Sequence, residues 1–434
     1  MFTSLYRQTD IQLRRGHVSD RREFLRTISA ASLAAGTLSW TDLMAAQQTS
    51  LRRRGKSCIL LWMNGGPSQF ETFSPKPGHA NGGETKAIPT AVSGIEISEY
   101  LPETAKMANE MCILRSMTSK EGSHPRATFL LHTGYLPTAS VRHPSLGSVA
   151  SQQLGDTAAD LPSYVRIGGN NRNAGGGGGL LGVQHDPLNI RNPHRAPDNS
   201  SLTVAKSRFQ RRLGLLGKVD RHYAAAVGKN EVTNHEKIYE QASRMVLSPR
   251  MSVFDIDEEP AKIREAYGEG DFAAGCLMAR RLVEAGVTFV EVSMNGWDTH
   301  QDNTGLSQEL CGQMDRPYAQ LLTDLRQRGR LDDTLVIWMG EFGRTPRING
   351  RGGRDHYPRA FNAVVAGCGV QSGQTVGATD PGGVEVTERP VTVQDLFQTI
   401  CYLLEIDSDK ENLSSIGRPI RVVDGGEVVT EIVG

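Results

Sequence analysis

The chain has 434 residues, and its 48 lysines and arginines balance its 48 aspartates and glutamates. This neutral total excludes the basic footprint of a general nucleic-acid binder and gives no overall attraction to anionic lipid. The length suffices for one large domain or two small ones with a substantial buried core. Six widely spaced cysteines without a C-x-x-C pattern predict buried free thiols. An exported chain would also permit disulfides, whose pairing the sequence does not define.

The N-terminus has the pattern of a twin-arginine export signal. Arg21 and Arg22 are followed one residue later by an apolar pair, behind a positively charged start. The mild apolar run from Thr27 to Trp40 is shorter than the roughly twenty residues that a spanning helix needs. We therefore expect residues 1–46 to be a cleaved signal peptide and residues 47–434 to form a single domain without a membrane span. The predicted location is periplasmic or extracellular.

Short apolar runs alternate with helical patterns along the rest of the chain. The runs that predict strands are Cys58–Met63, Met111–Met117, Tyr164–Ile167, Val287–Met294, Thr334–Met339 and Phe361–Ala366. The helical patterns are Val204 to Val227, Glu258 to Ala285, Leu306 to Arg326 and Thr392 to Leu404. Strands that are apolar on both faces and alternate with helices favour a mainly parallel central sheet flanked by helices on both faces. The predicted fold class is α/β.

The stretch Gly168 to Ser201 interrupts this rhythm. It is dense in Gly, Asn, Pro and Arg, and its glycine run 175–179 disfavours any regular element. We expect a long surface excursion here. No Lys-Ser or Lys-Thr follows the glycines and no G-x-G-x-x-G opens a helix, which argues against a phosphate loop. A role in controlling access to a site stays open, because long loops in compact domains often act as lids.

In open parallel sheets, ligands bind beyond the carboxyl ends of the strands. Polar residues directly follow two of the predicted strands at this position. Asn64 comes directly after the first apolar run. Asp298 and His300 come after the run that ends at Met294, two residues apart, so that in extended backbone both point the same way. Oxygen and nitrogen donors together favour zinc, manganese or iron over calcium. The structural alternatives are a tight turn at Asn64 and an Asp-Thr cap with a hydrogen-bonded histidine.

The same sheet edge gains further polar residues later in the chain. Glu341 and Arg344 follow the run that ends at Met339, and His356 precedes the last apolar run. If that last strand is antiparallel, its start lies beside the ends of the others. Arg344 suits a planar oxyanion because a guanidinium offers a fork of donors. A surface Glu–Arg pair and a loop histidine are the structural alternatives.

A possible helix N-terminus supplies the remaining candidates. Ser123 or Thr128 would be a nucleophile, His124 a base or a metal ligand, and Arg126 an oxyanion clamp. Free N–H groups at the start of a helix also attract an anion. The structural alternative is an ordinary N-cap with Pro125 in the first turn.

Five ordered motifs stand along the chain: Met63–Ser68 (MNGGPS), Ala279–Val287 (ARRLVEAGV), Trp297–His300 (WDTH), Gly340–Pro346 (GEFGRTP) and Gly353–His356 (GRDH). Together they resemble the motifs of an exported family named as domain of unknown function 1501. The resemblance spans about Cys58 to Asp407. The family is grouped by fold with the alkaline phosphatase and sulfatase superfamily, which implies an α/β/α sandwich. It also implies a two-metal site that binds a phosphate or sulfate ester beside a Ser, Thr or modified Cys nucleophile.

Residue by residue, the resemblance implies one complete metal half-site. Its ligands correspond to Asp298, His300 and His356. The second metal normally takes an Asp after the first strand and an Asp-His pair after a later one, and these positions correspond to Asn64, Glu341 and Phe342. Phenylalanine cannot ligate, and asparagine is a weaker donor than aspartate. The resemblance therefore implies one ion rather than two, with Asn64 and Glu341 as additional candidate ligands.

The nucleophile also departs from the superfamily pattern. The resemblance places His124 where Ser or Thr normally stands, with Ser123 one residue away, and no Cys-x-Pro-x-Arg pattern for a formylglycine sulfatase occurs. Our leading hypothesis is a metal-dependent hydrolase of phosphate, sulfate or related esters. It uses one divalent ion, zinc before manganese or iron, with assistance from Glu341 and an oxyanion held by Arg126 or Arg344. Water activated by the ion would replace the nucleophile.

The competing hypothesis is a catalytically silent relative that binds anionic glycans or a partner through the same pocket. Under either hypothesis the expected ligand is an anionic small molecule or a glycan ester. The twin-arginine translocase is the expected partner during export.

Overall fold

The computed structural model describes residues 55–156, 158–169, 175–227, 229–414 and 416–433, so the predicted signal peptide lies outside the described residues. A central sheet of nine strands organises this part of the chain. In chain order the strands are β1 (Ser57–Met63), β2 (Met111–Thr118), β3 (Tyr164–Ile167), β4 (Leu188–Ile190), β5 (Phe289–Met294), β6 (Thr334–Met339), β7 (Phe361–Ala366), β8 (Gln374–Val376) and β9 (Val391–Thr392).

The sheet is mainly parallel, as the sequence predicts. Its strand order is β8-β2-β7-β6-β1-β5-β3-β4, with β9 beside β2. The central strand β1 pairs in parallel with β5 and β6. The exception is β7, which is antiparallel to both of its neighbours, β2 and β6. Because β7 runs in the opposite direction, its first residues lie at the edge where the parallel strands end.

Helices cover both faces of the sheet. The α-helices are α1 (Pro102–Lys106), α2 (His124–Thr133), α3 (Leu146–Gln153), α4 (Lys206–Val227), α5 (Lys229–Leu247), α6 (Ala261–Tyr267), α7 (Asp271–Glu284), α8 (Asn303–Gln327) and α9 (Val393–Leu404). Alternate side chains of β1 enter two hydrophobic cores. Ile59 and Leu61 join a core with α7 and α8, whereas Leu60 and Trp62 join one with α2, α3 and α9. This alternation confirms the predicted α/β fold with helices on both faces.

The long helical pattern from Glu258 to Ala285 is wrong as a single helix. Two helices, α6 and α7, occupy it, and Gly268 and Gly270 separate them with φ angles of 90° and 94°. These left-handed backbone angles end a helix, although the apolar spacing continues on both sides. The strand predicted from Val287 begins at Phe289, because the N–H of Val287 still donates to the carbonyl of Leu282 in the final turn of α7.

The glycine-rich stretch 168–201 contributes one edge strand that its composition does not predict. Strand β4 pairs in parallel with β3, with Leu188 opposite Val165. The six cysteines are buried and free, as expected. Within the described ranges, no helix combines the length and hydrophobicity that crossing a bilayer requires.

Short elements complete the described part of the chain. Two-residue and three-residue strands form four small antiparallel pairs: Ala87–Pro89 with Glu96–Ser98, Gly343–Arg344 with His356–Tyr357, Ala378–Thr379 with Val386–Glu388, and Glu411–Leu413 with Pro419–Arg421. The 3₁₀ helices are Ala80–Gly82, Ala108–Glu110, Gly179–Leu181, Val183–His185, Pro249–Phe254, Ile256–Glu258 and Leu331–Asp333.

Candidate metal centre

Segments from five elements meet at the carboxyl edge of the sheet. Gly65 follows β1, Asp298 follows β5 and Glu341 follows β6. His124 begins α2, which comes after β2, and His356 lies in the short strand just before β7. The antiparallel direction of β7 therefore brings His356 to the edge at which the parallel strands end.

Three imidazole nitrogens surround one carboxylate oxygen of Asp298. The Nε2 atoms of His300, His124 and His356 lie 3.1, 3.3 and 3.3 Å from Oδ1 of Asp298. Nε2 of His300 is also 3.0 Å from Nε2 of His356. Ligand atoms of His124, Asp298 and His356 all lie within 4.8 Å of one another. Such a cluster of nitrogen and oxygen donors matches the ligands that zinc and similar cations prefer.

A second contact orients each of these imidazoles through Nδ1. The contacts are Nδ1 of His124 with Oε1 of Glu341 (2.6 Å), Nδ1 of His300 with Oδ1 of Asp355 (2.8 Å), and Nδ1 of His356 with the carbonyl of Gly122 (2.8 Å). An acceptor at Nδ1 holds a proton there, so that Nε2 keeps its lone pair for a cation. Nε2 of His124 is buried and makes no hydrogen bond. A cation at this point would satisfy it, so these residues fit a metal ion.

Glu341 lies behind His124 and is fully buried. Both of its carboxylate oxygens accept the backbone N–H of Gly65, at 3.0 and 3.1 Å. These bonds fix the carboxylate, and its short contact with His124 then fixes the imidazole. The structure thus places Glu341, a candidate ligand in the sequence, as the hydrogen-bond partner of His124.

Arg344 is also fully buried, and its guanidinium joins the segments that carry the site. Its Nε donates to the carbonyl of Gly66 (2.8 Å), its Nη1 to the carbonyl of Arg354 (3.1 Å), and its Nη2 to Oδ1 of Asp298 (2.7 Å), the carbonyl of Trp297 (3.1 Å) and the carbonyl of Gly65. The sequence suggests Arg344 as an oxyanion clamp. In the structure its donors already face protein acceptors, and one of these is the carboxylate at the centre of the cluster.

The pKa values within the cluster follow from burial and charge. Burial opposes the ionisation of Asp298, but Arg344 and the neighbouring imidazoles lower the pKa of this carboxyl to about 2. Burial also opposes protonation of His124, yet Glu341 and Asp298 raise its pKa above the usual value. Burial, followed by the positive charges of His124 and Arg344, lowers the pKa of His356 against the hydrogen bond to the Gly122 carbonyl. Asp298 is therefore a carboxylate at neutral pH, as a metal ligand must be.

The other candidate residues lie around this cluster or point away from it. The side-chain amide of Asn64 donates to Oδ1 of Asn295 at 2.9 Å. Arg126 makes a two-pronged, solvent-exposed contact with Glu121, at 2.8 and 2.9 Å. Ser123 is the N-cap of α2, but its side chain makes no capping hydrogen bond. Its hydroxyl therefore stays available at the exposed start of the helix.

The sequence did not single out Asp355, Gly122 or Gly65, although each holds a histidine or its partner in place. Asp355 directly precedes His356 in the G-R-D-H motif, and a carboxylate beside a ligand histidine is a usable signal for an orienting residue. Gly122 and Gly65 act through backbone groups, for which side-chain chemistry gives no signal. Thr128, the alternative nucleophile, lies buried in α2.

The fold and this cluster define an α/β protein with a candidate metal centre at the carboxyl edge of its sheet. The model of the family described as "Protein of unknown function (DUF1501)" matches residues 55–433. The chain belongs to this family. No curated protein matches the sequence.

Several solved structures have low similarity to this chain. A sulfatase, PsFucS1 from Pseudoalteromonas sp., is 15% identical with a TM-score of 0.38, and the match covers 83% of this chain and 71% of the sulfatase. A protein in the alkaline phosphatase superfamily from Vibrio parahaemolyticus is 10% identical with a TM-score of 0.39, over 87% and 70% of the two chains. The phosphonate monoester hydrolase of Agrobacterium radiobacter is 14% identical with a TM-score of 0.33, over 87% and 77%.

Proposed function

We propose that the protein is an exported, metal-dependent hydrolase of an anionic ester, such as a phosphate or sulfate ester. The observation that carries the proposal is the convergence of three Nε2 atoms on one oxygen of Asp298, each imidazole oriented through its Nδ1. Such second contacts orient metal-binding histidines and raise their basicity. A cation at this point would be shared by the three Nε2 atoms, which lie 3.1 to 3.3 Å from the same carboxylate oxygen.

His124, Asp298 and His356 would hold the ion, with His300 as the fourth ligand on the solvent side. Three imidazoles and one carboxylate favour zinc, and manganese or iron are the alternatives. Asp298 has a side chain that is 46% exposed, so the same carboxylate is open to solvent and to a substrate. A bound divalent cation supplies positive charge for an anionic ester and increases the acidity of water.

The start of α2 offers the second half of an anion site. The first turn of this helix has no acidic residue, and the hydroxyl of Ser123 leaves the free N–H groups uncapped. Helix N-termini favour anions through these N–H groups and the helix dipole. Since His124 is the first residue of α2, an ester oxygen beside the ion would lie close to this turn. Ser123 would then orient the substrate or donate a hydrogen bond to it.

The surroundings support one ion rather than two. The amide of Asn64 bonds to Asn295, both oxygens of Glu341 accept from Gly65, and Phe342 is buried. None of these three side chains offers a free carboxylate or imidazole for a second ion. The same features favour the competing proposal of a silent relative that binds anionic glycans, because ordinary phosphatase chemistry in this superfamily uses two metals.

Export is part of the proposal. The pair Arg21–Arg22 supports transport by the twin-arginine translocase, and residues 47–434 would then act as a single domain in the periplasm or outside the cell. Replacing both arginines by lysine tests this directly. We expect the precursor to accumulate in the cytoplasm, and unchanged export of this variant would contradict the proposed route.

The decisive experiment measures metal and turnover in the exported protein. We expect about one divalent ion per chain by mass spectrometry of the purified protein, and its loss in His356→Ala. His194→Ala is the matched control, because His194 makes a comparable 3.2 Å contact with Asp271 away from the cluster. Absence of bound metal in the unaltered protein, after refolding with zinc, manganese or iron, would contradict the proposal.

A panel of phosphate and sulfate esters separates the two functions. Hydrolysis that disappears in His356→Ala and persists in His194→Ala would support the enzyme. Stoichiometric metal without turnover, together with retained affinity for sulfated or phosphorylated sugars, would support the binding protein instead.

A further inference from the structure

The outer side of helix α4 combines strong positive charge with exposed apolar side chains. We define the α4 outer face as Arg208, Arg211, Arg212, Leu215, Lys218 and Val219, which share one side at helical spacing. Leu215 is 57% exposed and Val219 is 63% exposed, and the four basic residues around them are also exposed. This concentration of charge stands out because the whole chain has equal numbers of basic and acidic residues.

The other side of α4 packs against α5. Phe209, Leu213 and Leu216 are partly buried there, at the spacing expected for a seam between two helices. Asp220, the one acidic residue in the sequence of α4, lies on the same inner side, with Oδ2 3.5 Å from Nδ1 of His235. The α4 outer face therefore carries cations without an acidic residue of its own helix among them.

The folding of the hairpin does not account for this pattern. Lys206 and Arg208 lie in the first turn of α4, where the positive end of the helix dipole makes cations unfavourable. Exposed leucine and valine gain nothing from remaining in water. An external surface that is both anionic and apolar would compensate for both features, because basic amphipathic helices bind such surfaces.

We propose that the α4 outer face docks on an anionic phospholipid bilayer, with Leu215 and Val219 inserted among the headgroups. Soluble polyanions would attract the arginines but would leave these two apolar side chains exposed. The neighbouring helix lacks the uniformly basic charge of this surface: the exposed residues of α5 include Glu236 and Glu240 beside Lys237, together with the apolar Ile238 and Tyr239. The attachment is peripheral and does not depend on the metal centre.

Sedimentation with vesicles tests the proposal on the mature chain, residues 47–434. We expect binding to vesicles of equal parts phosphatidylglycerol and phosphatidylcholine, and little binding to phosphatidylcholine alone. The affinity should fall with added salt, since the surface charge is screened. Each basic residue removed should weaken binding about fivefold, because each contributes about 1 kcal/mol near an anionic membrane. Arg211→Gln with Arg212→Gln should therefore weaken it about twenty-fivefold.

The apolar contribution has its own variant and control. Leu215→Glu with Val219→Glu should abolish vesicle binding while leaving metal content unchanged. Leu413→Glu is the matched control, because Leu413 is 71% exposed but lies outside α4, in the hairpin strand that also contains Glu411. Equal loss in this control would contradict the proposal, as would equal binding to both vesicle types. If the Leu215 and Val219 variant still bound vesicles and dextran sulfate displaced it, the surface would be a polyanion site and the proposal would be wrong.

Discussion

Replacing Arg344 by lysine tests whether the candidate metal centre depends on one buried guanidinium. Arg344 donates to three segments: the turn after β1, the residues after β5, and the loop before β7. Its bond to Oδ1 of Asp298 is the one that reaches a candidate ligand. Lysine keeps the positive charge but offers one compact ammonium in place of the planar fork. Arg344→Lys therefore removes the geometry while retaining most of the charge.

The magnitude follows from the number of acceptors. Arg344 faces four backbone carbonyls and one carboxylate oxygen, whereas a lysine ammonium has three donors. At least two acceptors would lose their donor, at about 1–3 kcal/mol for each buried group. Because Asp298 is partly exposed and water can replace its lost bond, we expect a loss of about 2–4 kcal/mol in the free energy of unfolding. Metal affinity should fall about 10- to 100-fold, as for other partners of metal ligands.

The assay compares Arg344→Lys with Arg280→Lys. Arg280 is equally buried and has ion pairs of 2.8 and 2.9 Å with Glu259 and Glu284, remote from the cluster. Urea unfolding of the metal-free proteins measures stability, and calorimetric titration with zinc at a temperature where both are folded measures affinity. Both variants should be destabilised, and only Arg344→Lys should lose affinity. Equal zinc affinity in both variants would refute the positioning role of Arg344.

Three further predictions concern orienting contacts. Asp355→Ala should lower zinc affinity about 10- to 100-fold in calorimetric titration, because His300 loses the acceptor at Nδ1, and little change would oppose His300 as a ligand. Glu341→Gln should lower the pKa of His124 in proton NMR titration of the metal-free protein, because that carboxylate raises it, and an unchanged pKa would contradict this cause. The third prediction concerns the buried ion pair between Glu291 and Arg166. Burial opposes the ionisation of Glu291, but the charge of Arg166 outweighs this effect and lowers the pKa of the carboxyl. The stability that this pair contributes should therefore be fully present above about pH 4.3 and should be lost as the pH falls further. Urea unfolding of Glu291→Gln should therefore show about 3–5 kcal/mol less stability at neutral pH and a shallower acid dependence than the unaltered protein, and parallel pH curves would refute it.

The strands of the central sheet were predictable because they are buried on both faces. The apolar runs at Tyr164–Ile167, Thr334–Met339 and Phe361–Ala366 match the observed strands residue for residue. Each run ends where turn-forming or polar residues begin, so the local sequence carries the whole signal. Edge strand β4 has only three residues and gains its conformation from pairing with β3, which local composition cannot indicate.

The residues of the candidate site could be predicted from the sequence, but their separate roles as candidate metal ligands or as orienting residues could not. Asp298, His300 and His356 come from strand ends that the parallel arrangement must bring together. Nothing in the sequence distinguishes a metal ligand from the residue that orients it, because the side chains of His124 and Glu341 are both chemically able to bind a metal. Their roles separate only through burial and contacts: Glu341 is enclosed and bonded to Gly65, whereas Nε2 of His124 makes no hydrogen bond and lies 3.3 Å from Oδ1 of Asp298.

The short strand pair Gly343–Arg344 and His356–Tyr357 explains why the two motifs that contain them depend on each other. In its register Arg344 lies directly opposite His356. From this position the Arg344 side chain reaches Asp298, while Nε2 of His356 lies 3.3 Å from the same carboxylate oxygen. One residue of slippage would reverse the faces of the pair and remove both contacts. The antiparallel register next to β7 therefore brings residues that are distant in sequence into one cluster.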